Sequence, residues 1–251
     1  MFLSKHDLKL LYGVDLQLAS AFVDRKVPLD NLYWKNREIY IPSAPGYFFM
    51  PILADLLFRC GADKEYLLGN EYFEISEAIL QSAALLEHES ISWEKHVEQV
   101  FDLVKPHIKN PEFYKELCHY FSGPVLKKMQ NSFLGTHYPS LNRADSYLLL
   151  LACIPPQLFN LQKAVESWYA LMTYFLILDD LSDIKSDLKT NEENVLIDAG
   201  MNESGMATIS KMIDQSFNVL STINPIMANR IDHKREIMDL QEMLKSIISQ
   251  S

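Results

Sequence analysis

Glycine is scarce in this chain of 251 residues, at eight positions, and period-two alternation of apolar and polar residues is nearly absent. A strand-rich fold is thereby excluded. Cysteine is limited to Cys60, Cys118 and Cys153, widely separated among apolar residues with no Cys-x-x-Cys pair. They read as reduced core residues, which favours the cytoplasm and excludes a disulfide framework or a cysteine zinc site. Basic residues are outnumbered, 23 Lys and Arg against 33 Asp and Glu, and the net charge of −10 excludes a general nucleic-acid or anionic-membrane binder. The apolar run 147–154 stops at Pro155 and Pro156. It is too short to span a bilayer, so no transmembrane segment is expected. The first residues lack an apolar core and a small-residue cleavage site, and no secretory signal is expected. No glycine-rich phosphate loop and no Ser/His/Asp signature is evident, and His96, His107, His119 and His137 share no zinc spacing.

Long segments of Leu, Ile, Met and Phe recurring at spacings of three and four fill the space these absences leave. They predict a single all-α domain over 1–251. Helices are expected over 6–24, 48–60, 64–68, 71–90, 93–108, 111–121, 123–133, 143–153, 157–185, 204–222 and 225–249, separated by Gly61 and by the prolines at 42, 45, 106, 111, 155 and 156. The aromatic segment 31–42 has no helical spacing and reads as an extended cover or a short hairpin.

The most informative stretch is 174–187, where an apolar segment ends in four carboxylates, Asp179, Asp180, Asp183 and Asp187. On a helix, Asp179 and Asp183 lie four apart and Asp180 and Asp183 three apart, so their oxygens are able to converge. Such a trio suits Mg²⁺, which takes oxygen ligands and bridges carboxylates to phosphate. The alternative is a solvated helix end. Lys185 cannot neutralise the cluster by ordinary helix pairing, because residues three and four away from it are Leu181, Ser182, Leu188 and Lys189. The counter-charge must come from an ion or from another segment. Because 170–178 is apolar nearly all round, the helix itself is expected to be buried.

Four segments in order resemble the trans-isoprenyl diphosphate synthase (polyprenyl synthetase) family over roughly 44–222. They are the loop 44–51 before a helix at 52–59, the helix 75–91, the helix 143–152 and the acidic segment 175–183. The resemblance implies an isoprenoid synthase-like orthogonal helical bundle, with two acidic motifs facing each other and holding Mg²⁺ on a prenyl diphosphate. Asp179, Asp180 and Asp183 match the second motif. His88, Glu89 and Ser92 stand where the first belongs, so that one carboxylate, Glu89, replaces three. Arg143 takes the place of a phosphate-binding lysine, and Lys185 or Lys189 is a further candidate diphosphate contact. Tyr47, Phe48, Phe49 and Met50 stand where the family clamps isopentenyl diphosphate with basic residues, and aromatics cannot replace those donors.

The resemblance therefore implies a divergent protein of isoprenoid metabolism with a degenerate site, either a weakened or non-catalytic partner subunit or a prenyl diphosphate binder. The alternative is an active Mg²⁺-dependent enzyme, a terpene synthase or prenyltransferase ionising one allylic diphosphate. An unrelated helical interaction protein is the third reading. Three local choices stay open. His88 is a ligand or a hydrogen-bonded structural residue, Arg143 a phosphate ligand or a salt-bridge partner of Asp145, and 47–50 a tunnel lining, core or dimer contact. The apolar stripe Ile75, Ile79, Ala83 and Leu86, widened by Leu80, Ala84 and Leu85, predicts a homodimer or a heterodimer with a prenyl synthase, unless the helix at 93–108 covers it.

Overall fold

The computed structural model describes residues 4–25, 46–87 and 90–237 and the isolated positions 242, 245 and 246, with backbone alone at 46–48 and 234–237. All regular structure among these residues is helical. The segment 31–42 and the prolines at 42 and 45 lie outside them. The chain divides into two compact units, the first comprising 1–10, 14–124 and 145–164 and the second 11–13, 125–144 and 165–251. Among the described residues no helix is long and apolar enough to cross a membrane.

The helix expected over 6–24 is two, α1 (Lys5–Tyr12) and α2 (Leu16–Asp24). Gly13 breaks them apart at φ +65°, and a Cβ there would lie 2.5 Å from Asn224 Oδ1. Asn224 closes the break by donating from Nδ2 to the Tyr12 carbonyl at 2.9 Å. Asp15 then starts α2, its carboxylate accepting from the Gln17 and Leu18 amides, as N-caps do.

Unit 1 continues through α3 (Gly46–Arg59), α4 (Lys64–Leu67), α5 (Asn70–Glu87), α6 (Trp93–Val104) and α7 (Pro111–Phe121). Helix α5 lies against α6. Ile75, Ile79, Leu80 and Ala84 of α5 are buried, as are His96, Val100 and Val104 of α6, a four-residue recurrence that keeps one face inward. Of the stripe read as a dimer contact, Ile75, Ile79, Leu80 and Ala84 are thus covered within the chain, while Ala83, Leu85 and Leu86 are half-buried. Phe49 and Met50 are also core residues, and the Phe49 ring meets Tyr147 edge-on at 5.5 Å. Cys60 and Cys153 are buried, and all three cysteines are free. Burial pushes the Cys153 thiol up to about 12, so it stays protonated.

At the centre of unit 1 runs Asp145–Cys153, which is 3₁₀ helix where an α-helix was expected. A 3₁₀ helix has three residues per turn, so three consecutive side chains point in three directions. Each direction meets a different helix. Asp145 accepts from the Tyr120 hydroxyl of α7 at 2.6 Å, Ser146 bonds His96 of α6, and Tyr147 bonds Ser76 of α5. At the far end the Ala152 carbonyl accepts from the Lys109 and Asn110 amides, and the Cys153 carbonyl from the Tyr66 hydroxyl. Every side chain from 145 to 153 is buried, and these bonds satisfy polar groups that burial would otherwise penalise.

A loop leads from unit 1 into the 125–144 part of unit 2, for 122–138 contains no helix although one was expected over 123–133. Gly135, at φ +77°, brings its backbone so close to Lys127 that a Cβ would lie 2.4 Å from the Lys127 carbonyl oxygen. The loop folds back through Lys128 N–H to Thr136 O and Met129 N–H to Leu134 O. Asn142 anchors it, donating to Leu126 O and accepting from Thr136 N–H. The helices that follow are α8 (Leu161–Thr190), whose first four residues belong to unit 1, α9 (Val195–Asp198), α10 (Glu203–Ile223) and α11 (Pro225–Ile237). Along α8, Trp168, Leu171, Tyr174, Ile177, Leu181 and Ile184 are buried, as the apolar circumference predicts. The Tyr174 hydroxyl reaches the Ile231 carbonyl of α11 at 2.6 Å.

Candidate functional site: the acidic end of helix α8

The four carboxylates of α8 do not share a face. Asp180 and Asp187, seven residues and two turns apart, lie on the side of Ile177 and Ile184 and are buried. Asp179 is about half exposed, at 44% of its side chain, and Asp183 and Lys185 are exposed. A helix advances 100° per residue, so the apolar positions that bury Asp180 turn Asp183 away.

Arg143, just past the short 3₁₀ turn Pro139–Asn142, supplies the counter-charge. Its Nη2 lies 2.6 Å from Asp180 Oδ1, its Nη1 3.4 Å from Oδ2, and Nη2 also lies 3.4 Å from Asp179 Oδ2. Nη1 donates in addition to the Ser140 carbonyl at 3.0 Å. The two-pronged approach to Asp180 is the fork that a guanidinium offers a carboxylate. The Arg143 side chain is 26% exposed and that of Asp180 only 2%.

Helix α9 completes the enclosure. The Val195 amide donates to Asp180 Oδ2 at 2.6 Å, and Asn194 Nδ2 donates both to the Asp180 carbonyl and to Asp187 Oδ2 at 2.8 Å. Asn194 also caps α9, its Oδ1 accepting from Leu196 N–H at 2.9 Å. Asp198 at the other end of α9 holds the 3₁₀ turn, accepting from the Ser140 amide and hydroxyl. Three segments, 139–143, α8 and α9, are thus tied into one closed polar network.

Burial pushes the Asp180 carboxyl above its ordinary value, and nearby Asp187 adds to that; Arg143 and the Val195 amide oppose it. Asp180 therefore depends on its two partners to remain charged in place.

The structure brings together Arg143, Asp179 and Asp180. It does not bring Asp183 or Lys185 to them. Glu89 and His88 lie outside the described residues. Ser92 has a structural task, since its hydroxyl accepts from Lys95 N–H at 3.3 Å and caps α6. Of the two readings of Arg143, the salt bridge is the one realised, though with Asp180 and Asp179; Asp145 bonds Tyr120.

Whether Mg²⁺ suits this arrangement follows from the donors. Both oxygens of Asp180 are engaged by protein groups, Asp183 points to solvent, and among the described residues no group of three or more His, Cys, Asp or Glu is placed to hold a metal ion. The expected Asp179, Asp180 and Asp183 trio does not fit a divalent cation here. A fixed guanidinium supplies the positive charge.

Asn194, Asp187 and Asp198 belong to the network although spacing did not single them out as site residues. A cap signal did exist, an Asn directly before the apolar Val195, Leu196 and Ile197. Comparison of the chain with protein-family models, with curated proteins and with solved structures returns no match.

Proposed function

We propose that this chain is a divergent polyprenyl synthetase-like protein with an isoprenoid synthase-like helical frame and a degenerate site, acting as a non-catalytic or weakened partner subunit in isoprenoid metabolism. The observation that carries the reading is the Arg143–Asp180 pair. Metal-assisted ionisation of a diphosphate requires carboxylates free to bind a cation that also grips the leaving group. In this chain the residues matching that motif are used internally, with Asp180 enclosed by Arg143 and Val195 N–H. Phe49 and Met50, at the position of the isopentenyl diphosphate loop, are packed into the interior and present no phosphate donors.

The same geometry argues against the binder reading and the active-enzyme reading. Arg143 would have to leave a buried carboxylate to hold a phosphate, and Asp183, one of the three residues needed for ionisation, stands apart in solvent. A direct test incubates the purified chain with Mg²⁺ and geranyl or farnesyl diphosphate, with and without isopentenyl diphosphate. No pyrophosphate release and no longer prenyl product are expected. Turnover on the order of 1 per second, ordinary for an enzyme, would overturn the proposal. Purification from the native host identifies the partner, and recovery of the chain alone at every concentration would remove the partner-subunit part.

A further inference from the structure

We propose that His96 is an acid-sensitive lock in unit 1, holding α6 to the central 3₁₀ segment Asp145–Cys153 only while its imidazole is neutral. The ring is buried, at 1% exposure, and both its nitrogens are engaged: Nδ1 lies 2.9 Å from Ser82 Oγ and Nε2 2.8 Å from Ser146 Oγ. The proton positions follow from one further bond. Ser82 donates its only hydroxyl proton to Gln99 Oε1 at 2.8 Å, so towards His96 it accepts. Nδ1 is then the donor, Nε2 the acceptor, and Ser146 donates to it. The chain Ser146, His96, Ser82, Gln99 is complete with one ring proton and has no place for a second unless the Ser146 hydroxyl turns away.

The Ser146 to Nε2 distance is that of a nucleophile and its base. A hydrolytic site is nevertheless excluded, because Ser146, His96 and Ser82 are all buried and the group orienting the ring is a hydroxyl, not a carboxylate. What remains is a neutral histidine joining three elements.

Among the described residues no anion stands ready to accept a protonated ring. Helix α6 packs on α5, on the 3₁₀ segment, on the 3₁₀ turn Lys105–His107 that follows it and, through Phe101, on Tyr114 and Phe121 of α7, where Glu112, Lys115 and His119 are exposed and Glu116 is half-buried. On α5, Glu71 pairs with His107 and Lys109, Glu77 with Arg25, and Glu74 and Glu87 are exposed. On the 3₁₀ segment, Asp145 accepts from Tyr120, Tyr147 bonds Ser76, and burial keeps the Cys153 thiol protonated. On α6 itself, Glu94, Lys95, Glu98 and Asp102 are exposed, with Lys95 paired to Glu98; Lys105 of the turn is exposed as well. Burial accordingly holds the His96 imidazole below its ordinary value of 6.5. A folded-state value below the unfolded one means that the stabilisation is fully present above 6.5 and is lost as pH falls below it, because the unfolded chain takes up the proton first.

The test is equilibrium denaturation of the full chain at a series of pH values from 7.5 downwards, comparing the parent with His96→Gln and with the exposed His137→Gln. Below the ordinary histidine range the folding constant of the parent and of His137→Gln is expected to fall up to about tenfold further per pH unit than that of His96→Gln. Parallel curves for all three would overturn the proposal. Should His96→Gln not fold, proton NMR of the parent decides: the His96 ring signal stays unshifted as pH falls to the ordinary imidazole value of 6.5, and hydrogen exchange at 93–104 and 145–153 accelerates once it shifts. Titration of His96 at or above 6.5 would contradict the lock.

Discussion

Asp180 is the residue on which the site depends, because a carboxylate at 2% exposure is tolerated only with its charge matched. Replacing Arg143 by Ala leaves that charge with the Val195 amide alone. Breaking a buried pair from one side costs about 3 kcal/mol or more, and Arg143→Ala is expected to lose that much in urea unfolding at neutral pH. The sign of its pH dependence is fixed by the raised carboxyl of Asp180. Arg143 lowers the carboxyl that burial raises, so its loss raises the folded-state value further and protonation favours the folded variant more than the parent; the deficit of Arg143→Ala should therefore shrink as pH falls towards the ordinary aspartate range. A deficit that grows on acidification would contradict this. By contrast Asp183→Asn, at an exposed position, should stay within about 0.5 kcal/mol of the parent. Both Arg143 and Asp180 were legible in the sequence as site residues. Their union was not, since no periodicity links positions 37 apart in the chain. The inability of Lys185 to serve, read from its helical neighbours, already pointed to another segment.

At the scale of the element, helix α9 is four residues long and far below the length at which a helix holds itself together. It exists because Asn194, Asp180 and Asp198 tie both of its ends. Asn194→Ala removes a cap worth about 1 kcal/mol and two bonds to buried acceptors, and a total loss of about 2 kcal/mol or more in urea unfolding is expected. A loss below about 0.5 kcal/mol would mean that α9 is held by its apolar contacts alone. The long apolar helices α5, α6 and α8 were readable because periodicity reports burial directly. Three other elements were not. The break at Gly13 is imposed by Asn224, over two hundred residues away, and the 3₁₀ form of 145–153 by helices that each claim one of three consecutive polar side chains. The loop at 122–138 has apolar content like a helix, and its folding back rests on Asn142 and Tyr169, whose bonds no local pattern announces.

On the scale of the whole molecule, an all-helical frame with a cation of its own at the acidic end of α8 separates architecture from chemistry. Residue types that would suit a metal on a substrate phosphate here hold neighbouring segments together, and a fold does not by itself specify an activity. The acidic trio was legible as three residues but not as two faces, because spacing gives reach while burial decides direction. Ile177, Leu181 and Ile184 select Asp180 and reject Asp183. The most direct measurement is the melting temperature of the chain with millimolar Mg²⁺ and pyrophosphate, since a ligand bound only by the native state must raise it. With Arg143 as the resident cation the melting temperature is unchanged. A rise of several degrees that disappears in Asp179→Asn and Asp183→Asn would show that these carboxylates bind metal and would contradict the account.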